Sequence, residues 1–179
     1  MDIRNIKLVT PTKHHETLCE DFVQAVKTSD GVFAGTSSIE SMAYKEWLER
    51  IHYERKGERL QKGRVPATTL LAIIDNTLVG FINIRHTLNA FLHEAGGHIG
   101  YMVHPRYRKR GIATKMLEKA LNYCAMELQI KNVLITCDPD NTGSKNTIIN
   151  NGGRYENTVH NAILGTVERY WINLKEQAL

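Results

Sequence analysis

Residues 99–114 have the sequence IGYMVHPRYRKRGIAT, which changes character at its proline. The residues before the proline, from 98 to 103, are mostly β-branched, aromatic or apolar and predict a strand. Pro105 ends this strand because it has no amide hydrogen to donate. From residue 111 to about 128, apolar residues recur at intervals of three and four, which predicts a helix. The segment is therefore expected to run from a strand, through a basic turn, into a helix.

The predicted helix start has the features of an anion-binding site. The first backbone amides of a helix have no acceptor within it, and the helix dipole makes that end positive. A phosphate group satisfies both requirements. Gly111 permits a ligand to approach the backbone closely, and Ala113 is also small. Positive charge is added by four side chains: Arg106, Arg108, Lys109 and Arg110.

Two other interpretations of the basic turn are open on this pattern alone. It could be only a solvated helix start, since short basic clusters are common. It could also be a nucleic-acid patch, but such patches usually carry several aromatic side chains for stacking, and only Tyr107 is near. We therefore expect a small anionic ligand and no nucleic-acid partner.

The residues on either side predict a single α/β (α+β) domain over residues 1–179. Strands are predicted at residues 3–10, 68–74, 77–85, 133–137, 155–160 and 166–174. Further helices are predicted at residues 12–28, 39–55 and 143–151. This order of elements indicates a mixed central β-sheet of about seven strands, flanked by helices on both faces.

The composition narrows the class of protein and its compartment. The chain has 179 residues, 42% apolar and 23% charged, with a formal net charge of +4, as expected of a folded soluble protein. No signal peptide and no apolar run of the ~18 residues needed to span a bilayer is visible, so a cytoplasmic protein without membrane association is predicted. Three cysteines, Cys19, Cys124 and Cys137, are far apart and odd in number. Neither a disulfide framework nor a metal site is therefore expected.

Two motifs resemble the GNAT superfamily of acyl-CoA-dependent N-acetyltransferases. The first is the strand at residues 99–105 followed by Arg108-x-x-Gly111-x-Ala113, which matches the pattern Q/R-x-x-G-x-G/A at a helix start. The second is the strand at 133–137, followed by D-P-D-N-x-x-S at 138–144 and by Gly152-Gly153. The resemblance covers about residues 70–155. The chain end, with Tyr170-Trp171-Ile172, looks like a poorly characterised branch of predicted acetyltransferases.

The resemblance implies acetyl-CoA as co-substrate, with no metal. Two adjacent strands splay apart in this family, and the pantetheine arm binds the strand backbone, here Tyr101, Met102 and Val103. The pyrophosphate would bind the amides of Arg108, Lys109, Arg110, Gly111, Ile112, Ala113 and Thr114. Asn141 would bond to the pantetheine, with Ser144 helping to open the following helix. Asn141 could alternatively serve only as the cap of that helix.

The chemistry implied is direct attack of an amine on the thioester, which requires a base to take the ammonium proton. The family often has a Glu two residues ahead of the Gly-Tyr pair, and His98 occupies that position here. A neutral imidazole suits a base, although His98 could instead be a structural residue held by the backbone of Gly96 and Gly97. Glu94 is a second candidate, acting through water.

One residue departs from the family pattern. Many members have a Tyr seven residues after the Asn, acting as proton donor to the leaving sulfur, and this chain has Ile148 there. Tyr101, Tyr155 or Tyr170 could replace it, while a thiol pKa of ~8.5 makes the thiolate a fair leaving group even without a donor. Cys137 could lie near the cofactor but more simply belongs to the core.

The sequence therefore predicts an N-acetyltransferase acting on a primary amine of an unidentified small molecule or protein. A non-catalytic acyl-CoA binder or sensor is the alternative, and Ile148 makes it plausible. The acceptor would depend on residues 31–64 and 88–97, which have little pattern. The protein could be a monomer or a homodimer.

Overall fold

The computed structural model describes residues 1–174, which form seven strands and four α-helices. The strands are β1 (Lys7–Val9), β2 (Ala67–Ile74), β3 (Thr77–Arg85), β4 (Ile99–Val103), β5 (Asn132–Cys137), β6 (Arg154–Asn161) and β7 (Gly165–Asn173). The helices are α1 (Glu16–Lys27), α2 (Tyr44–Lys56), α3 (Ile112–Met126) and α4 (Thr142–Asn150). The expectation of an α/β fold with about seven strands is confirmed.

The strands form two antiparallel sheets rather than one continuous mixed sheet. The first has the order β1-β2-β3-β4 and the second the order β5-β7-β6. In the first sheet Asn83 on β3 pairs with both Thr69 on β2 and Gly100 on β4. This register brings the middle of β4 beside a buried polar residue of β3.

Helices cover both faces of the first sheet, as the sequence predicts. The apolar stripe of α3 is buried against one face, with Met116, Leu117 and Ala120 inaccessible to solvent. On the other face Phe22 of α1 and Trp47 of α2 pack edge-on against Phe81 of β3, with ring centroids 4.9 and 6.1 Å from it. Within the described residues, no helix is both long enough and apolar enough to cross a membrane.

Three boundaries differ from the sequence-based expectations. Residues 3–5 form a 3₁₀ turn, which leaves only Lys7–Val9 as the first strand. The second helix begins at Tyr44 instead of residue 39, because Ser38 is left-handed and Met42 is extended on either side of the 3₁₀ turn Ile39–Ser41. The segment expected to be irregular at 88–97 contains a π-helical turn, Leu92–Gly96.

The two sheets meet where β4 begins, and they separate further along. The His98 amide donates to the carbonyl of Leu134 at 2.7 Å, and the Leu134 amide donates back to Nδ1 of His98 at 2.9 Å. The hydroxyl of Thr136 donates to the carbonyl of Ala95. No backbone hydrogen bond among residues 1–174 joins β4 to β5 beyond this point. The strands are therefore held together at one end and open at the other.

Candidate active site

A cavity of about 620 Å³ lies beside the end of β4 that leads into α3. Its walls come from four parts of the chain: the end of α1 with the following loop, β4, the turn into α3, and the start of α4. The predicted site residues that line it are Tyr101, Met102, Val103, Arg108, Lys109, Gly111, Ile112, Ala113, Thr114, Asn141 and Ser144. Of the predicted cofactor-binding residues, only Arg110 is outside this lining.

The turn into α3 gives this wall a row of free backbone donors. Gly111 is the N-cap and has a φ of 76°, a left-handed conformation that favours glycine. A side chain at Gly111 would meet only Ile3, at 3.6 Å, so the conformation rather than lack of room requires glycine here. The amides of Ile112, Ala113 and Thr114 open the helix and have no acceptor within it. The backbone here is suited to an anion.

The basic side chains of the turn divide into two groups. Arg108 forms an ion pair with Asp30 at the end of α1, and its Nε donates to the carbonyl of Val103. Lys109 is exposed and lines the cavity. Arg110 is exposed and lies over the Tyr107 ring, 5.8 Å from its centroid. Two of the cations therefore face the cavity, and Arg110 contributes its charge from further away.

Tyr101 and Ser144 connect β4 to α4 across the cavity wall. The Tyr101 hydroxyl lies 2.9 Å from Oγ of Ser144. Asn141 caps α4, since its Oδ1 accepts a hydrogen bond of 3.0 Å from the Ser144 amide. Burial raises the pKa of Tyr101 to about 12, so this phenol keeps its proton at neutral pH.

Ile148, which stands where many members of the family have a tyrosine, is part of the core. Ile148 is inaccessible to solvent and packs against Gly153. Tyr155 is exposed, with its hydroxyl beside Thr158, and the Tyr170 hydroxyl donates to Glu168. Among the three tyrosines named as substitutes, Tyr101 is the one that lines the cavity.

A second cavity, of about 500 Å³, lies on the side of the first sheet that carries α1 and α2. Ala34 lines both cavities. Next to it, Gly35 packs directly on the backbone of β4. A methyl group on Gly35 would overlap the carbonyl oxygen of Gly100 and lie 2.6 Å from the carbonyl carbon. The residue shared by the two linings, Ala34, is therefore next to the place where Gly35 crosses Gly100.

The second cavity contains polar residues that the sequence reasoning missed. Asn83 is buried, and its amide nitrogen donates to Ser37 Oγ and Thr69 Oγ1 at 3.1 and 3.0 Å. Glu40 accepts a hydrogen bond from the Thr36 hydroxyl, and Glu54 pairs with Arg50 and Arg64. Two features of the sequence could have indicated that Asn83 and Glu54 are buried polar residues. Asn83 interrupts an apolar strand, and Glu54 follows Trp47 and Ile51 at the spacing of the buried helix face.

The two predicted bases lie outside both cavities. His98 is 7% exposed, and its Nδ1 accepts the Leu134 amide proton, so that nitrogen is not protonated. Burial lowers the pKa of His98 to about 4. Glu94 is exposed on the π-helical turn. Neither residue is among those that line the cavities.

The cysteines are free and buried. Burial raises the pKa of Cys19 and Cys124 to about 12 and that of Cys137 to about 11, so these thiols stay protonated at neutral pH. Among the described residues no three His, Cys, Asp or Glu side chains come close enough together to hold a metal ion.

The contact of His98 with Leu134 predicts an acid-dependent loss of stability. The pKa of about 4 lies below the unfolded value of 6.5, so the stabilisation is complete above pH 6.5 and is lost as the pH falls through 4. Since a shift of one unit corresponds to 1.36 kcal/mol, the loss is expected to be about 3 kcal/mol. Urea unfolding at pH 7 and pH 4 measures it. His98→Gln should lose about 3 kcal/mol less over this range than the wild type, while exposed His52→Gln should match the wild type. Equal losses in all three proteins would contradict the prediction.

Comparison with known proteins identifies the family. Residues 5–154 match the family model described as acetyltransferase (GNAT) domain. No curated protein sequence matches the chain significantly.

Solved structures share the fold at low sequence identity. RimJ of Mycobacterium smegmatis, in complex with CoA-disulfide, is 18% identical with a TM-score of 0.73, covering 97% of this chain and 84% of its own. RimL, a ribosomal L7/L12 alpha-N-protein acetyltransferase in complex with coenzyme A, is 17% identical with a TM-score of 0.69, covering 94% of both chains. The microcin C7 self-immunity acetyltransferase MccE, in complex with acetyl-CoA and AMP, is 17% identical with a TM-score of 0.69, covering 94% of this chain and 92% of its own.

The family match extends over most of the chain, from the segment before β1 to the first residue of β6. It includes the strand, the basic turn and the helix start that line the first cavity. The chain therefore belongs to the GNAT family of acetyltransferases.

Proposed function

We propose that the protein transfers the acetyl group of acetyl-CoA to a primary amine by direct attack. The observation that carries this proposal is the first cavity, in which an open strand edge meets a helix start rich in free amides and positive charge. Relatives of the same fold are described as acetyltransferases bound to coenzyme A or acetyl-CoA, which supports the same donor here.

The donor would bind along β4 and the turn into α3. The backbone groups of Tyr101 point away from β3 and have no strand partner, so they are available to the pantetheine amides. Val103 faces the same edge with its carbonyl already bonded to Arg108 Nε, while the alternation along β4 directs the Met102 backbone toward β3. The pyrophosphate would bind the free amides among residues 109–114, with Arg108 and Lys109 adding charge. Asn141 would keep its capping bond to Ser144 and offer its side-chain amide to the pantetheine.

The acceptor begins as an ammonium and loses two protons, one to the base before attack and one as the amide forms, while the leaving sulfur gains one. The amine nitrogen attacks the acetyl carbonyl carbon, the carbon–sulfur bond breaks, and an amide and the coenzyme A thiol form. We assign the proton donor to Tyr101, whose phenol lines the first cavity and keeps its proton. The tyrosine regains a proton from solvent, and one proton is released overall.

The base that we propose is Glu40, not His98 or Glu94. Glu40 lines the second cavity, and its one hydrogen bond among the described residues comes from Thr36. His98 has its Nδ1 committed to Leu134, which supports a structural role at the junction of the two sheets. The exposed position of Glu94 outside both cavities gives no support to its role as a base.

A non-catalytic acyl-CoA binder is the second candidate, because buried Ile148 stands where many relatives have a tyrosine donor. Thiol release from acetyl-CoA with a panel of primary amines, together with calorimetric titration of coenzyme A, separates the two functions. We expect coenzyme A binding and amine-dependent thiol release. Binding of coenzyme A without turnover by any amine would favour the binder, and absence of binding would contradict both.

A further inference from the structure

The polar atoms that lack a hydrogen-bond partner among the residues lining the second cavity include Glu54 Oε2 and two atoms of neighbouring residues on β3. The first of these two atoms is Oδ1 of Asn83. The amide nitrogen of Asn83 is used by Ser37 and Thr69, but its oxygen accepts no bond and is not sealed inside the protein. The side chain lines the cavity while being only 6% exposed. A buried residue with a free acceptor toward a cavity is suited to a ligand that donates a hydrogen bond.

The second atom is Nη2 of Arg85. Its neighbour Nη1 donates to the carbonyls of Gly96 and Gly97, at 3.0 and 3.1 Å, which fixes the guanidinium. Nη2 has no partner, and a side chain built on Gly100 would lie 3.6 Å from it. Arg85 therefore presents a fixed donor to the second cavity, close to Gly100.

The acceptor and the donor line the same cavity from one strand. Asn83 and Arg85 lie two residues apart on β3, so their side chains leave the same face of the sheet. Gly100, opposite Asn83, has no side chain to fill the space between them. A small ligand whose amino group lies close to a carbonyl or carboxylate group can therefore contact both residues.

The charges of the cavity indicate which end carries which group. Glu40 forms no ion pair among the described residues, although its charge interacts with Arg50 at longer range, and it lines the cavity where it can offset an ammonium. Arg85 has no carboxylate partner and contacts backbone carbonyls instead. Glu54 is already paired with Arg50 and Arg64. An ammonium beside Asn83 would donate to its free oxygen, and a carbonyl or carboxylate beside Arg85 would accept from its free nitrogen.

We infer that the second cavity binds an α-amino carbonyl compound, whose amino group donates to Oδ1 of Asn83 and whose carbonyl or carboxylate oxygen accepts from Nη2 of Arg85. This inference rests on the proposed function, because the bound amine would be the acetyl acceptor. The ligand can be a free amino acid or the N-terminus of a peptide, which share this chemistry.

Three small amines with the same skeleton test the contact with Arg85. Glycinamide and glycine have oxygen-containing groups where isobutylamine has methyl groups. Intrinsic amine reactivity cancels when the ratio of kcat/KM values for two amines is compared between protein variants. Arg85→Lys keeps the charge and loses the second guanidinium nitrogen. It should lower kcat/KM at least about tenfold for glycinamide or glycine, but less than about twofold for isobutylamine. An unchanged ratio would overturn the contact with the carbonyl group.

The contact with Asn83 has a different signature, because all three amines share the amino group. Asn83→Leu should raise KM about tenfold or more for each amine, with the affinity for coenzyme A unchanged. Thr69→Val disturbs the same cluster but keeps the Asn83 oxygen, so its KM values should stay within about twofold of wild type. If KM rises equally in both variants, the effect comes from disturbing the hydrogen bonds to Ser37 and its loop, and the inference is overturned.

Direct binding separates this inference from the proposed function. Titration of glycinamide into the protein loaded with coenzyme A, followed by NMR, requires no turnover. Binding that is lost in Asn83→Leu would support the site even if no amine is acetylated, in which case the proposed function alone fails. Absence of glycinamide and glycine binding to the wild type would overturn the inference. Preference for glycine would identify free amino acids as the ligand, and preference for glycinamide would identify peptide N-termini.

Discussion

Gly35→Ala is expected to lower the free energy of unfolding by about 2–4 kcal/mol and kcat/KM about 100-fold. Gly35 has a φ of 68°, and an added methyl group would overlap the carbonyl of Gly100. The oxygen and carbon of this carbonyl belong to the backbone of β4, so rotation of a side chain cannot relieve the clash. The loop that lines both cavities would have to move away from β4, and displacement of about 1 Å at a reacting centre is enough for such a loss of rate. Urea unfolding and steady-state kinetics measure the two effects.

Gly31→Ala is the matched control for this variant. Gly31 has a nearly identical φ of 66°, but no atom lies within 4 Å of the added methyl group. Gly31→Ala should lower the free energy of unfolding by about 1 kcal/mol, through backbone strain alone, and kcat/KM should stay within about threefold of wild type. If the two variants are equally stable and equally active, the close approach of Gly35 to Gly100 has no part in organising the site.

Tyr101→Phe is expected to lower kcat about 100-fold while the KM for acetyl-CoA stays within about threefold of wild type. Removing a proton donor slows breakage of the carbon–sulfur bond but leaves the backbone groups of β4 in place. The effect should fall at the low end of acid catalysis, because a thiol with a pKa of ~8.5 gives a fair leaving group. Since the pKa of Tyr101 is raised to about 12, the wild-type enzyme should not lose its proton donor as the pH rises from 7 to 9.

Tyr155→Phe provides the comparison, because it removes an exposed hydroxyl that is bonded to Thr158 outside the first cavity. Its kinetics should match those of the wild type. Thermal unfolding of both variants excludes a loss of fold as the cause of a change. A kcat within about twofold of wild type for Tyr101→Phe would refute the role of proton donor.

The helix start at Gly111 could be predicted because its pattern is local. A proline that ends a strand, a glycine that allows a left-handed turn and an apolar stripe every three or four residues are all contained within residues 99–128. The cap at Asn141 is equally local, since its partner Ser144 is three residues away. The sequence therefore indicated 11 of the 18 residues that line the first cavity, and it missed the loop residues Asp30, Val32 and Ala34.

The functional interpretation of His98 needed a contact that no local pattern contains. The sequence marks it as a polar residue at the beginning of a strand, and both a base and a structural residue fit that description. Its partner Leu134 is 36 residues away, on a strand of the other sheet. Only that contact reveals that Nδ1 is occupied and that the ring joins the two sheets.

The sequence by itself determined the order of the elements and the basic turn into α3, because hydrogen bonds and periodicities within a few residues specify them. The tertiary structure alone decided which phenol lines the first cavity, and that Gly35 crosses Gly100 next to the residue that lines both cavities. Tyr101 meets Ser144 across 43 residues, and Arg108 meets Asp30 across 78. Such pairs depend on how sheets and loops pack on one another, and packing selects shape and burial without leaving a repeating pattern in the chain.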